Sequence, residues 1–391
     1  MEKIKLSLII SIVFLFGVVS QAQKVKAPIM GWSSWNNFRV NIDEKMIREQ
    51  ADAMISSGLY DAGYRYLNID DGYFGGRDKT GKLYPDATKF PSGMKALVDY
   101  IHLKKLKAGI YTDAGDNTCG SIWDKDKNGI GSGIYGHIDQ DCQLFFKEWG
   151  FDFLKVDWCG GEKMKLDEEK TYLPIIKAVK AINSNIVFNV CRWQFPGEWV
   201  ITKADSWRVS SDISAKFTSV LKIIDLNANL SKWASPGHYN DMDMLQVGRG
   251  MSYDEDKTHF SMWCILNSPL LAGNDLRSMS KETIEILTNK EVIALNQDPA
   301  FKQATRVLAE NTVEVWIKPL LGNGGKSTAI AIMNRGEEQV QYELNLDKLN
   351  IDPKSKLRDL WLHKVLGEAG QTRKFMLPKH GVVVLTCHVK D

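Results

Sequence analysis

What most constrains this chain is a change of hydrophobic rhythm at Pro299. From Pro28 to about Pro299, short apolar runs alternate with stretches whose apolar residues recur at three and four positions, the pattern of strand–helix–strand units around a parallel sheet. A segment of that length suits an eight-stranded β/α barrel. Asn41 with Glu44 reads as a capping-box-like helix start, Met46, Ile47, Ala51, Met54 and Ile55 share one face, and Gly58 ends the helix. Strands follow at Tyr66–Ile69, Ala108–Tyr111, Phe153–Val156, Ile186–Val190, Trp207–Val209, near Tyr239 and at Pro269–Ala272, and Met94, Leu97, Val98 and Ile101 mark a further helix. Beyond Pro299 the period falls to two, in Val313-Val315-Ile317, Thr328-Ile330-Ile332, Tyr342-Leu344, Leu360-Leu362 and Val382-Val384-Thr386. Alternation without helical faces predicts a small antiparallel β-sandwich. The expected organisation is therefore a barrel over 23–299 and a sandwich over 300–391, after a separate segment, 1–22.

That first segment carries Lys3 and Lys5, an apolar run from Leu6 to Val19, and small residues at Ser20-Gln21-Ala22. It reads as an export signal cleaved near Ala22, which predicts a periplasmic or secreted protein. The run is shorter than the ~20 apolar residues that cross a bilayer, so no stable membrane insertion is expected after cleavage. Lys plus Arg total 50 against 48 for Asp plus Glu, with no basic stripe, which argues against nucleic acid as a partner. Six cysteines form no CxxC pair and the seven histidines no HxH or HExxH spacing, so neither metal nor cofactor is called for. Gly322 to Ser327 ends like a phosphate loop but joins two strands, and reads as a hairpin turn. Asp124, Asp126, Asn128 and Gly129 begin like a calcium loop, yet Tyr135 stands where a bidentate Glu is needed, and they read as a polar loop.

The chemistry lies in acidic residues at predicted strand ends, the face of a barrel that carries active sites. Asp70 and Asp71 follow one strand, Asp157 another with Lys155 two residues earlier, Asp212 lies past Trp207-Arg208, and Asp243 sits in Asn240-Asp241-Met242-Asp243-Met244. Clustered carboxylates raise one another's pKa, a cost that a purely structural role does not explain. A glycosidase needs the cluster, with one carboxylate ionised at the anomeric carbon and another protonated for the leaving oxygen. Lys155 is expected to keep Asp157 charged, and the negative field of its neighbours to keep Asp212 protonated. Trp32, Trp35, Tyr73, Tyr111 and Trp193 fall near the same rim as possible walls of a sugar pocket.

With these residues in view, the chain resembles the α-galactosidases and α-N-acetylgalactosaminidases of glycoside hydrolase family 27. Gly31-Trp32 with Trp35-Asn36, Ile69-Asp70-Asp71, Tyr111-Thr112-Asp113 with Asn117-Thr118-Cys119, Lys155-Val156-Asp157-Trp158-Cys159, Trp207-Arg208 with Asp212, and Asn240 to Met244 occur in the family's order. The resemblance implies a barrel followed by a β-sandwich, and a retaining exo-hydrolase of terminal α-galactose with Asp157 as nucleophile and Asp212 as acid/base, their carboxyls about 5 Å apart. It further implies that Asp70, Asp71, Lys155, Arg208 and Asp243 hold the sugar's hydroxyls, that Trp32, Tyr111 and Trp193 line the pocket, and that Cys119 pairs with Cys159. The chain departs from the pattern at Cys191-Arg192-Trp193, where the family has Cys-Glu-Trp. Arg192 either faces the sugar's 2-position or pairs with a loop carboxylate such as Glu198. Gly72-Tyr73 and Ala204 stand where the family has partners for two more disulfides, so those are expected to be missing. Gln194 and Phe195 replace the small residues that admit an acetamido group, which favours an α-galactoside. The competing readings are a related sugar (β-L-arabinopyranoside, α-N-acetylgalactosaminide or a 2-substituted galactoside), a sugar-binding protein without turnover, and a Schiff-base lyase using Lys155. An amine beside Asp157 has a raised pKa, the wrong direction for the last of these.

Overall fold

The computed structural model describes residues 27–321 and 327–388. The export-signal segment and the turn at 322–326 lie outside these residues. Eight parallel strands form one curled sheet, numbered here β1 (Met30–Ser33), β2 (Tyr66–Ile69), β3 (Lys107–Asp113), β4 (Phe153–Asp157), β5 (Val187–Val190), β6 (Ser206–Arg208), β7 (Tyr239–Asp241) and β8 (Leu270–Ala272). They pair in the order β8-β1-β2-β3-β4-β5-β6-β7. The seam between β7 and β8 is closed just past β7, where Leu245 bridges Ala272 in parallel and its N–H donates to Leu271 O at 2.7 Å. The barrel expectation holds, and β1 is the strand that no periodicity announced.

The first long helix, Glu44–Ser56, is capped by Asp43, whose carboxylate accepts from Met46 N at 2.7 Å. Asn41 is thus not the cap. Glu44 instead bonds Arg48 at 2.7 Å and Ser92 N at 3.0 Å, tying two helix starts together. Met46, Ile47, Ala51 and Met54 are buried as their spacing requires, whereas Ile55 points outward.

The C-terminal strands are β9 (Thr305–Glu310), β10 (Val313–Leu320), β11 (Ser327–Asn334), β12 (Val340–Asn345), β13 (Lys356–Asp359), β14 (Lys364–Glu368), β15 (Thr372–Leu377) and β16 (Val382–His388). A six-stranded antiparallel sheet, β9-β10-β11-β16-β13-β14, faces the β12-β15 pair. Leu360-Leu362 is not a strand but the turn between β13 and β14, with Asp359 Oδ1 accepting from Trp361 N and Leu362 N at 2.9 Å each. The larger sheet is apolar on both faces. Val315, Ile330, Ile332 and Leu385 pack with Leu344 and Leu377, while Trp316, Ala331, Met333 and Val384 join the barrel's core. The helix Tyr253–Ile265 fills that junction and is buried around much of its circumference; Trp361 Nε1 donates to its Ser261 Oγ at 3.0 Å.

Candidate active site

Period-two geometry sends Lys155 and Asp157 to the inside of β4, and Leu154 and Val156 to the helices outside. Behind the strand end, Trp158, Tyr172 and Trp199 stack in series at 5.2 and 5.8 Å, and Tyr172 Oη donates to Val156 O at 3.3 Å. Asp157 is held further by Trp158 N, which donates to its Oδ1 at 3.0 Å. Lys155 Nζ lies 2.9 Å from Asp70 Oδ2 and 3.7 Å from Asp157 Oδ2. Burial alone lowers an ammonium's pKa, but Asp70 and Asp157 reverse this and hold Lys155 well above its ordinary value. The Asp157 carboxyl is pushed up to about 6, chiefly by burial, with Lys155 pulling it down and Asp212 and Asp70 adding to the rise.

The loops after β3 and β4 are locked to one another. Cys119 and Cys159 form a disulfide, the pairing the resemblance implied. Gly115 and Gly160 pass so closely that a Cβ on Gly115 would stand 2.1 Å from the Gly160 carbonyl carbon. The Asp113 carboxylate accepts from Gly115 N at 2.7 Å and Gly160 N at 3.0 Å. Cys142, Cys191, Cys264 and Cys387 are free and buried. Cys191 therefore has no disulfide partner, in line with Ala204 where the family has one.

Asp212 comes from the loop after β6 and its side chain is 59% exposed. Arg208 Nη2 lies 3.1 Å from Asp212 Oδ1 and 2.8 Å from Asp243 Oδ2. Partial desolvation raises the Asp212 carboxyl, yet Arg208, Lys155 and Arg39 together hold it below the usual value. The expectation that Lys155 keeps Asp157 ionised holds above about pH 6, whereas Asp212 is held ionised rather than protonated, so that Asp157 is the more basic carboxylate and Asp212 the more acidic. The reason is Arg208, a buried cation at the end of β6, the strand that leads into the Asp212 loop.

A cavity of about 200 Å³ brings together Trp35, Arg39, Asp70, Tyr111, Trp123, Lys155, Asp157, Trp193, Asp212 and the disulfide sulfurs' residues. Of the residues named from sequence, Trp35, Asp70, Tyr111, Lys155, Asp157, Trp193, Asp212 and the Cys119–Cys159 pair meet here, with Tyr111 Oη accepting from Cys119 N at 3.1 Å. Several others do not. Trp32 is wholly buried, its Nε1 donating to Asn274 O at 2.7 Å; Trp35, one helical turn later, takes the wall position. Tyr73 is also core, its hydroxyl on Tyr111 O at 3.0 Å. Asp71 turns to the loop after β3 and accepts from Gly120 N at 2.6 Å, with burial pushing its carboxyl up to about 7. Arg208 and Asp243 lie beneath, around a second cavity of about 20 Å³ inside the barrel. There Asp243 accepts from Ile213 N at 2.8 Å, so it sets Arg208 and the Asp212 loop rather than lining the cavity. Arg192 pairs with Glu168 at 2.6 Å, not with Glu198 or the cavity. Gln194 and Phe195 do not line the cavity either; Phe195 stacks on Trp233 at 6.0 Å. Sequence reasoning missed Arg39, the C-cap of the short helix Trp35–Phe38, and Trp123, the last residue of the short helix Cys119–Trp123, because both helices are too short to show a periodic signal.

Residues 27–298 match the α-galactosidase A family and residues 310–387 its C-terminal β-sandwich domain. An α-galactosidase A of Cellvibrio japonicus is 41% identical over 95% of each chain. The solved structure of α-galactosidase I from Mortierella vinacea superposes with a TM-score of 0.85 at 33% identity, covering 93% of this chain and 97% of that one. A family 27 β-L-arabinopyranosidase from Geobacillus stearothermophilus superposes with a TM-score of 0.82 at 25% identity, over 93% and 96% of the two chains. With the barrel, the appended sandwich and the acidic cleft at the strand ends, these matches establish that the chain belongs to the α-galactosidases of glycoside hydrolase family 27.

Proposed function

We propose that this chain is a retaining exo-glycosidase that removes terminal, non-reducing α-D-galactose, with Asp157 as nucleophile and Asp212 as general acid/base. The observation that carries the reading is the single cavity into which both carboxylates project, one at its floor beside Lys155 and one at its mouth. Its 200 Å³ is room for about seven waters at the liquid's ~30 Å³ each, the bulk of one hexose. Asp70, Lys155, Tyr111, Trp35 and Trp193 take the sugar, and Arg208 and Asp243 hold the Asp212 loop in place.

In the first step the Asp157 carboxylate bonds to C1 as the C1–O bond to the leaving group breaks, and the Asp212 proton passes to the departing oxygen. In the second, Asp212 takes a proton from water, whose oxygen bonds to C1 and releases Asp157 with α-galactose. This cycle needs Asp157 ionised, which holds above about pH 6, and Asp212 protonated, which requires its carboxyl to rise from the depressed value that Arg208, Lys155 and Arg39 impose. Lys155 is one of the cations that hold the Asp212 carboxyl down, and a sugar that engages its ammonium supplies a rise. The division into a signal at 1–22, a catalytic barrel at 23–299 and a sandwich at 300–391, with export to the periplasm or medium, belongs to the same proposal. Among the described residues no helix is long and apolar enough to cross a membrane.

Asp157→Asn should abolish turnover, and Asp212→Ala should slow natural galactosides far more than nitrophenyl galactosides, whose leaving group needs little protonation. Proton NMR of the first product should show α-galactose. Initial β-galactose means inversion and removes Asp157 from the nucleophile role.

A further inference from the structure

The cleft is graded from floor to rim. The side chains of Asp70, Asp157 and Lys155 are 2%, 7% and 14% exposed, whereas Asp212 and Arg39 are 59% and 47% exposed, and Trp123 is 67% exposed. With C1 held between Asp157 and Asp212, whatever is bonded to C1 is directed outward, to the side where Arg39 and Trp123 stand.

Arg39 is held there at a conformational cost. Asn41 N donates to Phe38 O at 2.9 Å, closing a turn whose second position is Arg39, with φ 48° and ψ −131°. That region suits glycine, and a residue with a Cβ is strained in it. The guanidinium carbon lies 4.4 Å over the Trp35 ring. Nε and Nη2 each bond Asp124 at 2.6 Å, and no bond to Nη1 is made among the described residues, which leaves it for a ligand. Asp124 is the neighbour of Trp123, so this bidentate pair ties the loop after β1 to the loop after β3 at the cavity mouth.

We propose that Arg39 and Trp123, joined through Asp124, form the leaving-group subsite and take the sugar ring on the far side of the scissile bond. Trp123 offers its face to the ring's C–H surface, and Arg39 donates from Nη1 to ring hydroxyls. The subsite rests on the α-galactosidase reading and adds to it which residues choose the aglycone. Arg39→Gly, which relieves the turn, should leave the thermal midpoint equal or higher and raise KM for an α-1,6-galactosyl-glucose disaccharide about 5- to 20-fold, with kcat changed less. Trp123→Ala should give the same split without touching the turn. The competitive Ki of free galactose, which fills the inner pocket alone, should stay within about twofold in both. A disaccharide KM unmoved in both variants, or a galactose Ki that rises in step with it, overturns the subsite. No hydrolysis of the disaccharide or of nitrophenyl α-galactoside by the unaltered protein defeats instead the parent reading, and the subsite with it.

Discussion

Two regions of this molecule bury a lysine, and they treat it in opposite ways. At the barrel mouth Lys155 stands between Asp70 and Asp157, and the carboxylates overcome desolvation, so the ammonium stays charged. At the junction of barrel and sandwich Lys318 of β10 donates to Asn267 Oδ1 and Lys302 O, both neutral. No carboxylate lies within ion-pair distance of it among the described residues; Asp298 acts only from farther away, and burial pushes Lys318 down to about 7. The same side chain is thus a fixed charge in one place and a titrating group in the other. Lys155 is 14% exposed and Lys318 fully buried, but burial opposes the charge at both, and the charge of the nearest oxygens decides the direction of the shift. The mouth concentrates carboxylates at an electrostatic cost that only chemistry explains, and the junction carries the neutral acceptors expected of a packing interface.

Lys155→Met should have the largest effect. It leaves Asp70 and Asp157 as like charges in a dry pocket, and kcat/KM should fall about 10²- to 10³-fold, ~3–4 kcal/mol. Asp157 must be ionised to attack, so kcat/KM in the unaltered protein falls as pH drops through about 6. Lys155 lowers that pKa, hence its removal should move the acid limb to higher pH. An acid limb that stays in place breaks the contrast between the two lysines.

Lys318→Met comes next and reads out in stability. The folded pKa of about 7 lies below the ordinary 10.5, so between those values the unfolded chain binds more protons and stability rises with pH; below pH 7 both states are protonated and the slope vanishes. Urea unfolding should show the unaltered protein gaining about 2 kcal/mol on the Met variant between pH 7 and pH 9. A gap that does not change with pH means Lys318 remains charged, like Lys155. Arg192→Ala should do least, with kcat/KM within about twofold and stability within ~0.5 kcal/mol, because the guanidinium is committed to Glu168. A larger loss on α-galactosides would add a third cation to the site.

The strand ends were legible because short apolar runs mark the barrel strands and the barrel fold assigns chemistry to that edge; Asp70, Lys155, Asp157 and Asp212 all follow from it. The roles of Trp32 and Trp35 were not separable, since three residues between two tryptophans say nothing about which ring faces inward. β1 was invisible because its four residues, Met30-Gly31-Trp32-Ser33, include a glycine and a serine and form no continuous apolar run. In the sandwich, alternation located β10, β11 and β16 but not the double burial of their sheet, because the second apolar face meets the distant helix Tyr253–Ile265.

By itself the sequence determined the architecture, the family and the carboxylates that meet in the cleft, because all three follow from local periodicity and from short motifs at strand ends. Tertiary structure alone decided which carboxylate is basic, which tryptophan walls the cavity, and that Arg192 faces Glu168 while Arg39 faces the mouth. These depend on side chains far apart in the chain, such as Arg39 with Asp124 and Arg208 with Asp243. Distance and burial between such groups set their charge and orientation, and neither is written in the spacing of residues along one strand.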